Sequence, residues 1–220
     1  MGLGTLTELS FDAVIFDMDG TLIDSTPAVV RAWTTWAIEH GVTADELAGH
    51  HGMPSARVVS KLLPDHRHEA AIDRINELEI DDVADIVVLP GAVEALAALR
   101  TSRNAIATSC TLSLAKARIA AAELVPPSIL VTADQVAHGK PAPDPFLLAA
   151  ARLGVAPERC LVVEDAPAGL TAAEAAGCYR LAVITTTPED ELVADGIVRN
   201  LGDVEFVPSE DGTIRVRPAT

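Results

Sequence analysis

A chain of 220 residues, 49% hydrophobic and 22% charged, is long enough to bury a core of its own and has the balance of a soluble globular protein. Its apolar runs fall far short of the roughly 18 residues that a bilayer span needs. A formal charge of −16 opposes nucleic acid as a partner, because phosphate backbones demand basic patches.

The opening MGLGTLTELS lacks the basic flank and long apolar segment of a signal peptide. Residues 11–16 (FDAVIF) are short, apolar and β-branched and stop at charged residues, which predicts a buried strand. A long helix is expected next. Pro27 suits its first turn after Ser25 and Thr26, Val29, Trp33, Trp36 and His40 recur at helical spacing, and Gly41 supplies the stop. TADELAGH, SARVVSKLL and DHRHEAAIDRINELEI read as further helices, so no strand is expected between 24 and 88. Trp33 and Trp36 are assigned to the core of this helical insert. The acidic run from Glu77 to Asp85 reads as a solvated helix end and linker.

Beyond the insert the pattern alternates. Helices are expected over 91–100, 112–122, 144–153 and 168–176, with strands over 104–109, 129–132, 160–163 and 180–184. Such alternation implies a parallel sheet covered on both faces. Asp211-Gly212 between two extended runs predicts a terminal hairpin. Cys110, Cys160 and Cys178 are widely spaced with no CxxC pair, which points to reduced thiols in a cytoplasmic protein; Cys160 and Cys178 read as plain core residues.

In an open parallel sheet, ligands bind at the carboxyl ends of the strands. The first strand ends in Asp17-Met18-Asp19-Gly20-Thr21 and the next core strand in Thr108-Ser109. Gly139-Lys140-Pro141 follows the third, and Glu164-Asp165 ends the fourth. Carboxylates without histidine or thiol partners select a hard cation such as Mg²⁺. With Lys140 opposite, the set suits phosphoryl transfer, where catalysis is positioning and charge neutralisation. Taken singly, each group has a plainer role. Asp17 and Asp19 could form a solvated turn, Ser109 and Thr108 could cap a helix, Lys140 could be a surface lysine, and Asp165 could be an N-cap.

In order, DMDGT, the Thr-Ser strand end, HGKPAPDPF and VVEDAPAG resemble the four signatures of the haloacid dehalogenase (HAD) superfamily, over about Phe11 to Val198. The resemblance implies an α/β fold: a Rossmann-like parallel sheet core of residues 1–24 and 89–220, with a helical cap of residues 25–88. It implies Asp17 as nucleophile, forming an aspartyl-phosphate, and Asp19 as the acid/base. Asp17, the backbone carbonyl of Asp19, and Asp165 would hold Mg²⁺, with Glu164 either a ligand or a supporting group. Thr108, amides near Ser109, and Lys140 would bind the phosphoryl oxygens, Lys140 counting also as catalytic.

Asp19 separates the chain from the superfamily's dehalogenases, whose halide leaving group needs no proton. In the β-phosphoglucomutase-like branch a mutase has histidine five residues beyond the second aspartate of the DGxxxD stretch, where this chain has Val29. The mutase's cap arginine is matched by Ser55, with Arg57 two further on. DSTPAVVRAW, His51-Gly52, LPGAVEAL and TADQVAHGKPAPDP are similar to bacterial sugar phosphatases and to fungal glycerol-3-phosphate and 2-deoxyglucose-6-phosphate phosphatases. A Mg²⁺-dependent phosphatase acting on small sugar or polyol phosphates is therefore expected, with His51 as the cap candidate for substrate hydroxyls; Met53 and Arg57 could border the site. A phosphomutase or a catalytically silent phosphate-binding protein remain the alternatives. Cys110 stands where these relatives usually carry glycine. No nucleic acid or membrane partner is expected, and a monomer is consistent with this layout.

Overall fold

In the computed structural model, which describes residues 2–48 and 53–219, the strongest apolar runs have become six short parallel strands. In chain order the elements begin with β1 (Ala13–Phe16), β2 (Ile23–Asp24), α1 (Thr26–His40), α2 (Ala44–Leu47), α3 (Ser55–Leu62) and α4 (His68–Asp81). Then come β3 (Val87–Val88), α5 (Ala92–Ala98), β4 (Asn104–Ala107), α6 (Leu112–Ala121), β5 (Ile129–Val131) and α7 (Asp144–Leu153). The chain continues with β6 (Cys160–Glu164), α8 (Pro167–Ala176), β7 (Tyr179–Val183) and β8 (Gly196–Val198), and closes with β9 (Val204–Pro208) and β10 (Ile214–Pro218).

The main sheet runs β5-β4-β1-β6-β7-β8, all parallel. Side chains alternate across it with the strand period of two. Val14, Phe16, Ile106, Leu161, Val163, Leu181 and Val183 pack on one face. Ala13, Ile15, Ala105, Ala107, Val131, Cys160 and Val162 pack on the other, beneath α7 and α8. Both faces are thus apolar, and β1 is buried at every position. After β1 the chain builds β4 and β5 on one side; α7 then crosses back and β6 is laid on the other. The carboxyl end of β1 is therefore the place where strand order reverses, which is where a crevice opens in such sheets. The antiparallel pair β9–β10 covers the first face, with Phe206 edge-on to Phe16 at 5.7 Å.

Helices α1 to α4 form the insert, with their own core of Trp36, Val59, Ala71 and Ile75. Trp36 is fully buried and its indole donates to the Ala71 carbonyl at 2.8 Å, and Trp33 packs beside it. Gly41 ends α1 at φ 73°, a left-handed conformation that glycine adopts without a Cβ penalty. The expectation of no strand between 24 and 88 needs a correction. Asp24 and Val87 belong to the two-residue antiparallel pair β2–β3, which clamps together the two crossings between insert and sheet. Two residues per strand carry no periodicity to read. Arg31 braces the same junction, its guanidinium forking onto Asp82 and Asp85 at 2.8 Å.

Other differences are local. TADELAGH yields the single turn α2, held by a capping box between Thr43 and Glu46. The helix expected over 91–100 stops at Ala98 and the strand expected over 104–109 stops at Ala107. Strand β8 (GIV) is too short to show a pattern. The solvated reading of Glu77 to Asp85 fails at Glu79, which is buried against α6 because a cation waits there.

Candidate active site

Asp17 follows β1 directly, and its amide donates to the Val163 carbonyl, so the ladder with β6 fixes where the carboxylate points. The chain then turns sharply: the amides of Thr21, Leu22 and Ile23 all reach back to the Met18 carbonyl, and Gly20 sits at φ 84°. A Cβ on Gly20 would lie 2.2 Å from Asp165 Oδ2, so only glycine admits the close approach of this turn to the end of β6.

Lys140, fully buried, donates to Asp17 at 2.5 Å and to Glu164 at 2.7 Å, with its ammonium 5.1 Å from the Phe146 ring centroid. The second oxygen of Glu164 accepts from the amides of Asp165 and Ala166 at 2.8 and 2.9 Å. Asp165 accepts from Thr21 at 3.3 Å and from Thr186. Thr185 donates to the Gly20 carbonyl and ties the turn after β1 to the segment after β7. The plain alternatives for Lys140 and Asp165 therefore fall away: the lysine is not on the surface, and the N-cap of α8 is Ala166.

Asp17, Glu164 and Asp165 offer oxygen atoms within 4.8 Å of one another. Burial, aggravated by Glu164 and Asp19, pushes the Asp17 carboxyl up to about 8 despite Lys140, and burial pushes Asp165 well above the carboxylate range. Burial opposes the charge on Lys140 too, but Asp17 and Glu164 outweigh it and raise its pKa. Three buried carboxylates against one buried ammonium leave two negative charges over. An all-oxygen donor set with that deficit fits a hard divalent cation. Glu164 has one oxygen on Lys140 and the other on two amides, whereas each oxygen of Asp165 meets a single hydroxyl and Lys140 holds only Oδ1 of Asp17.

Thr108 is buried at the end of β4, its hydroxyl accepting from the Cys110 amide at 3.1 Å. Neither Thr108 nor Ser109 caps α6; Thr111 does, accepting from the Leu114 amide. Ser109 lines a cavity of about 330 Å³ that lies between α6 and the insert, with Asp19, Cys110 and Arg118 on one wall and Val29, Trp33, Asn76 and Glu79 on the other. Met53 borders the same cavity, whereas Arg57 lines a neighbouring one. His51 and Gly52 lie outside the described residues.

The carboxylate of Asp19 faces this cavity and not the carboxylate cluster. Ser25 donates to its Oδ1 at 2.6 Å and Arg118 at 2.8 Å, while the Cys110 thiol donates to Oδ2 at 3.0 Å. Ser25 is therefore not acting as the side-chain cap of α1. Burial, with Asp19 alongside, pushes the Cys110 thiol well above its ordinary pKa, which keeps it a donor. Ser25, Glu79, Arg118, Thr185 and Thr186 escaped the sequence reading. Only the threonines had a legible signal, because ITTTP stands at the end of β7, a fifth strand end on the same rim.

A family model, haloacid dehalogenase-like hydrolase, matches residues 11–177. The chain is 37% identical over 210 residues to hexitol phosphatase A of Escherichia coli (strain K12), covering 92% of this chain and 97% of that one. It is 34% identical to glycerol-1-phosphate phosphohydrolase 1 of Saccharomyces cerevisiae, covering 87% and 83%. Among solved structures, a hydrolase from Pseudomonas syringae superposes with a TM-score of 0.81 at 28% identity, covering 87% of this chain and 95% of that one. A family match over residues 11–177, most of the chain, means that this chain belongs to the haloacid dehalogenase-like hydrolases.

Proposed function

We propose that this protein is a phosphatase that hydrolyses small sugar or polyol phosphate monoesters through a phosphorylated Asp17. The observation that carries the reading is the division of labour between two aspartates two positions apart. Asp17 is buried against Lys140 beside Glu164 and Asp165, and Asp19 turns to the cavity under the helical insert. Full-length similarity to phosphatases of hexitol and glycerol phosphates supports the substrate class.

In this reading Asp17 attacks phosphorus, Lys140 and Thr108 with amides near Ser109 hold the phosphoryl oxygens, and Asp19 protonates the departing alkoxide and then activates water. Asp17, the Asp19 backbone carbonyl and Asp165 would hold Mg²⁺, with Glu164 orienting Lys140. The ion supplies charge neutralisation at the phosphoryl group when bound. Residues 25–88 act as a cap over a core of 1–24 and 89–220, opening at the β2–β3 crossings to admit water and product. His51, on the cap, is our candidate for contact with substrate hydroxyls. Three buried, unpaired cysteines fit a reducing, cytoplasmic compartment.

A phosphate-release screen over sugar and polyol phosphates with Mg²⁺, repeated with EDTA and with Asp17→Asn, tests the proposal. Release that needs both Mg²⁺ and Asp17 is expected; undiminished release by Asp17→Asn would overturn it. Val29 stands where a mutase carries histidine, and it lines the cavity as an apolar group. Product analysis with a hexose 1-phosphate and a bisphosphate primer should therefore show free phosphate and not an isomer.

A further inference from the structure

Arg118 projects from α6 with 3% of its surface exposed, and its guanidinium bridges two carboxylates that belong to different parts of the chain. One terminal nitrogen donates to Asp19 Oδ1 at 2.8 Å and lies 3.2 Å from Cys110 Sγ. The other donates at 2.9 Å to Glu79, itself buried near the end of α4 in the helical insert. Burying one guanidinium and two carboxylates costs several kcal/mol of hydration per ion, and apolar residues would pack the same space at less cost. What apolar residues could not do is hold the Asp19 carboxylate in one orientation and make that orientation depend on where α4 sits.

Asp19, Arg118 and Glu79 all line the cavity that begins at Ser109, beside the phosphate-binding strand end, and runs beneath the insert. A leaving group occupying that cavity would meet the Asp19 carboxylate on its wall. We propose that Glu79 and Arg118 are positioning residues for Asp19: Glu79 anchors the guanidinium, and the guanidinium aims the carboxylate at the leaving oxygen, so proton transfer is assembled only while the insert is docked on α6. The inference rests on the phosphatase reading, in which Asp19 gives its proton to an alkoxide. The competing role for the pair is direct recognition of substrate hydroxyls; Arg118 and Asn76 both line the cavity, and Arg118 Nε and Asn76 Oδ1 have no partner among the described residues.

The two roles separate by the chemistry of the leaving group. Propyl phosphate needs a proton on its leaving oxygen and has no hydroxyl to recognise; glycerol phosphate has both features; nitrophenyl phosphate has a leaving group stable enough to depart unprotonated. kcat/KM reports the step in which the leaving group departs, so it is the quantity to compare across the three in the full chain with Mg²⁺. For Glu79→Gln we expect a fall of about tenfold or more with both alkyl esters and less than about twofold with the aryl ester, since misplacing a proton donor by a fraction of an ångström forfeits much of its contribution. Arg118→Lys, which keeps the charge and loses the fork, should show the same split. Equal losses on all three esters, no loss on any, or a loss confined to glycerol phosphate would each overturn the proposal, the last by assigning the pair to hydroxyl recognition. Failure of both variants to fold would overturn it too, by making the pair a fold-holding contact. A wild-type chain that releases phosphate from none of the three esters would instead sink the phosphatase reading beneath it.

Discussion

Lys140 donates to Asp17 at 2.5 Å across 123 positions of sequence, and both side chains are almost wholly withdrawn from solvent. A buried ammonium with two carboxylate partners is stable only as a set. Removing the ammonium leaves the carboxylates buried and uncompensated, and that is far more costly than replacing the whole set.

Lys140→Met strands Asp17, Glu164 and Asp165 without a cation. We expect a loss of about 3 kcal/mol in urea unfolding without metal, within the range for breaking a buried ion pair. Added Mg²⁺ should recover part of it by binding the folded state. A loss that Mg²⁺ does not touch would show that the carboxylates are not its ligands.

Asp17→Asn removes the proposed nucleophile and one proposed oxygen ligand while leaving Glu164 to pair with Lys140. Phosphate release should fall to background, yet unfolding free energy without metal should stay within about 1.5 kcal/mol of wild type. The rise in melting temperature on adding Mg²⁺ should shrink. An unchanged Mg²⁺ response would move the metal away from Asp17.

Gly169 lies on α8, where an added Cβ would stand 1.6 Å from Glu164 Oε1. Gly169→Ala must push Glu164 off Lys140 and off the two amides it holds, so a cost of about 2 kcal/mol and a clear loss of phosphate release are expected. Gly41→Ala is the control. Its φ of 73° makes alanine costly by about 1 kcal/mol, but nothing lies within 4 Å of the new methyl, and turnover should be unchanged.

Cys110 is buried, and its thiol pKa is pushed well above the ordinary value by burial and by Asp19. The thiolate is the reactive form, so native Cys110 should be alkylated far more slowly than an open thiol at the same pH, and as slowly at pH 7 as its burial dictates. Mass spectrometry after timed iodoacetamide treatment would read this. Alkylation as fast as that of an open thiol at the same pH would place Cys110 in contact with solvent.

The sheet and the candidate rim were open to sequence reading because each signal was local. Asp17, Thr108 and Asp165 stand within two residues of apolar runs that read as strands, Lys140 follows its strand at a longer distance, and the strand-end rule brings strand ends together without any knowledge of side chains. The same rule, extended to ITTTP after β7, would have added Thr185 and Thr186. The crossings β2 and β3 were invisible for the opposite reason, since a two-residue strand has no period.

By itself, then, the sequence determined the alternation of strand and helix and the insert after the first strand, and it pointed to Asp17, Asp19, Thr108, Lys140 and Asp165 as candidate groups on one rim. Only the tertiary structure decided what surrounds Asp19. Ser25, Cys110 and Arg118 reach its carboxylate from 6, 91 and 99 positions away, and Glu79 reaches Arg118 across another 39. Such contacts join elements distant in sequence, and a buried arginine looks the same in a string of letters as one in water. Burial and pairing belong to the packing of α4 against α6, and no short stretch of sequence encodes that.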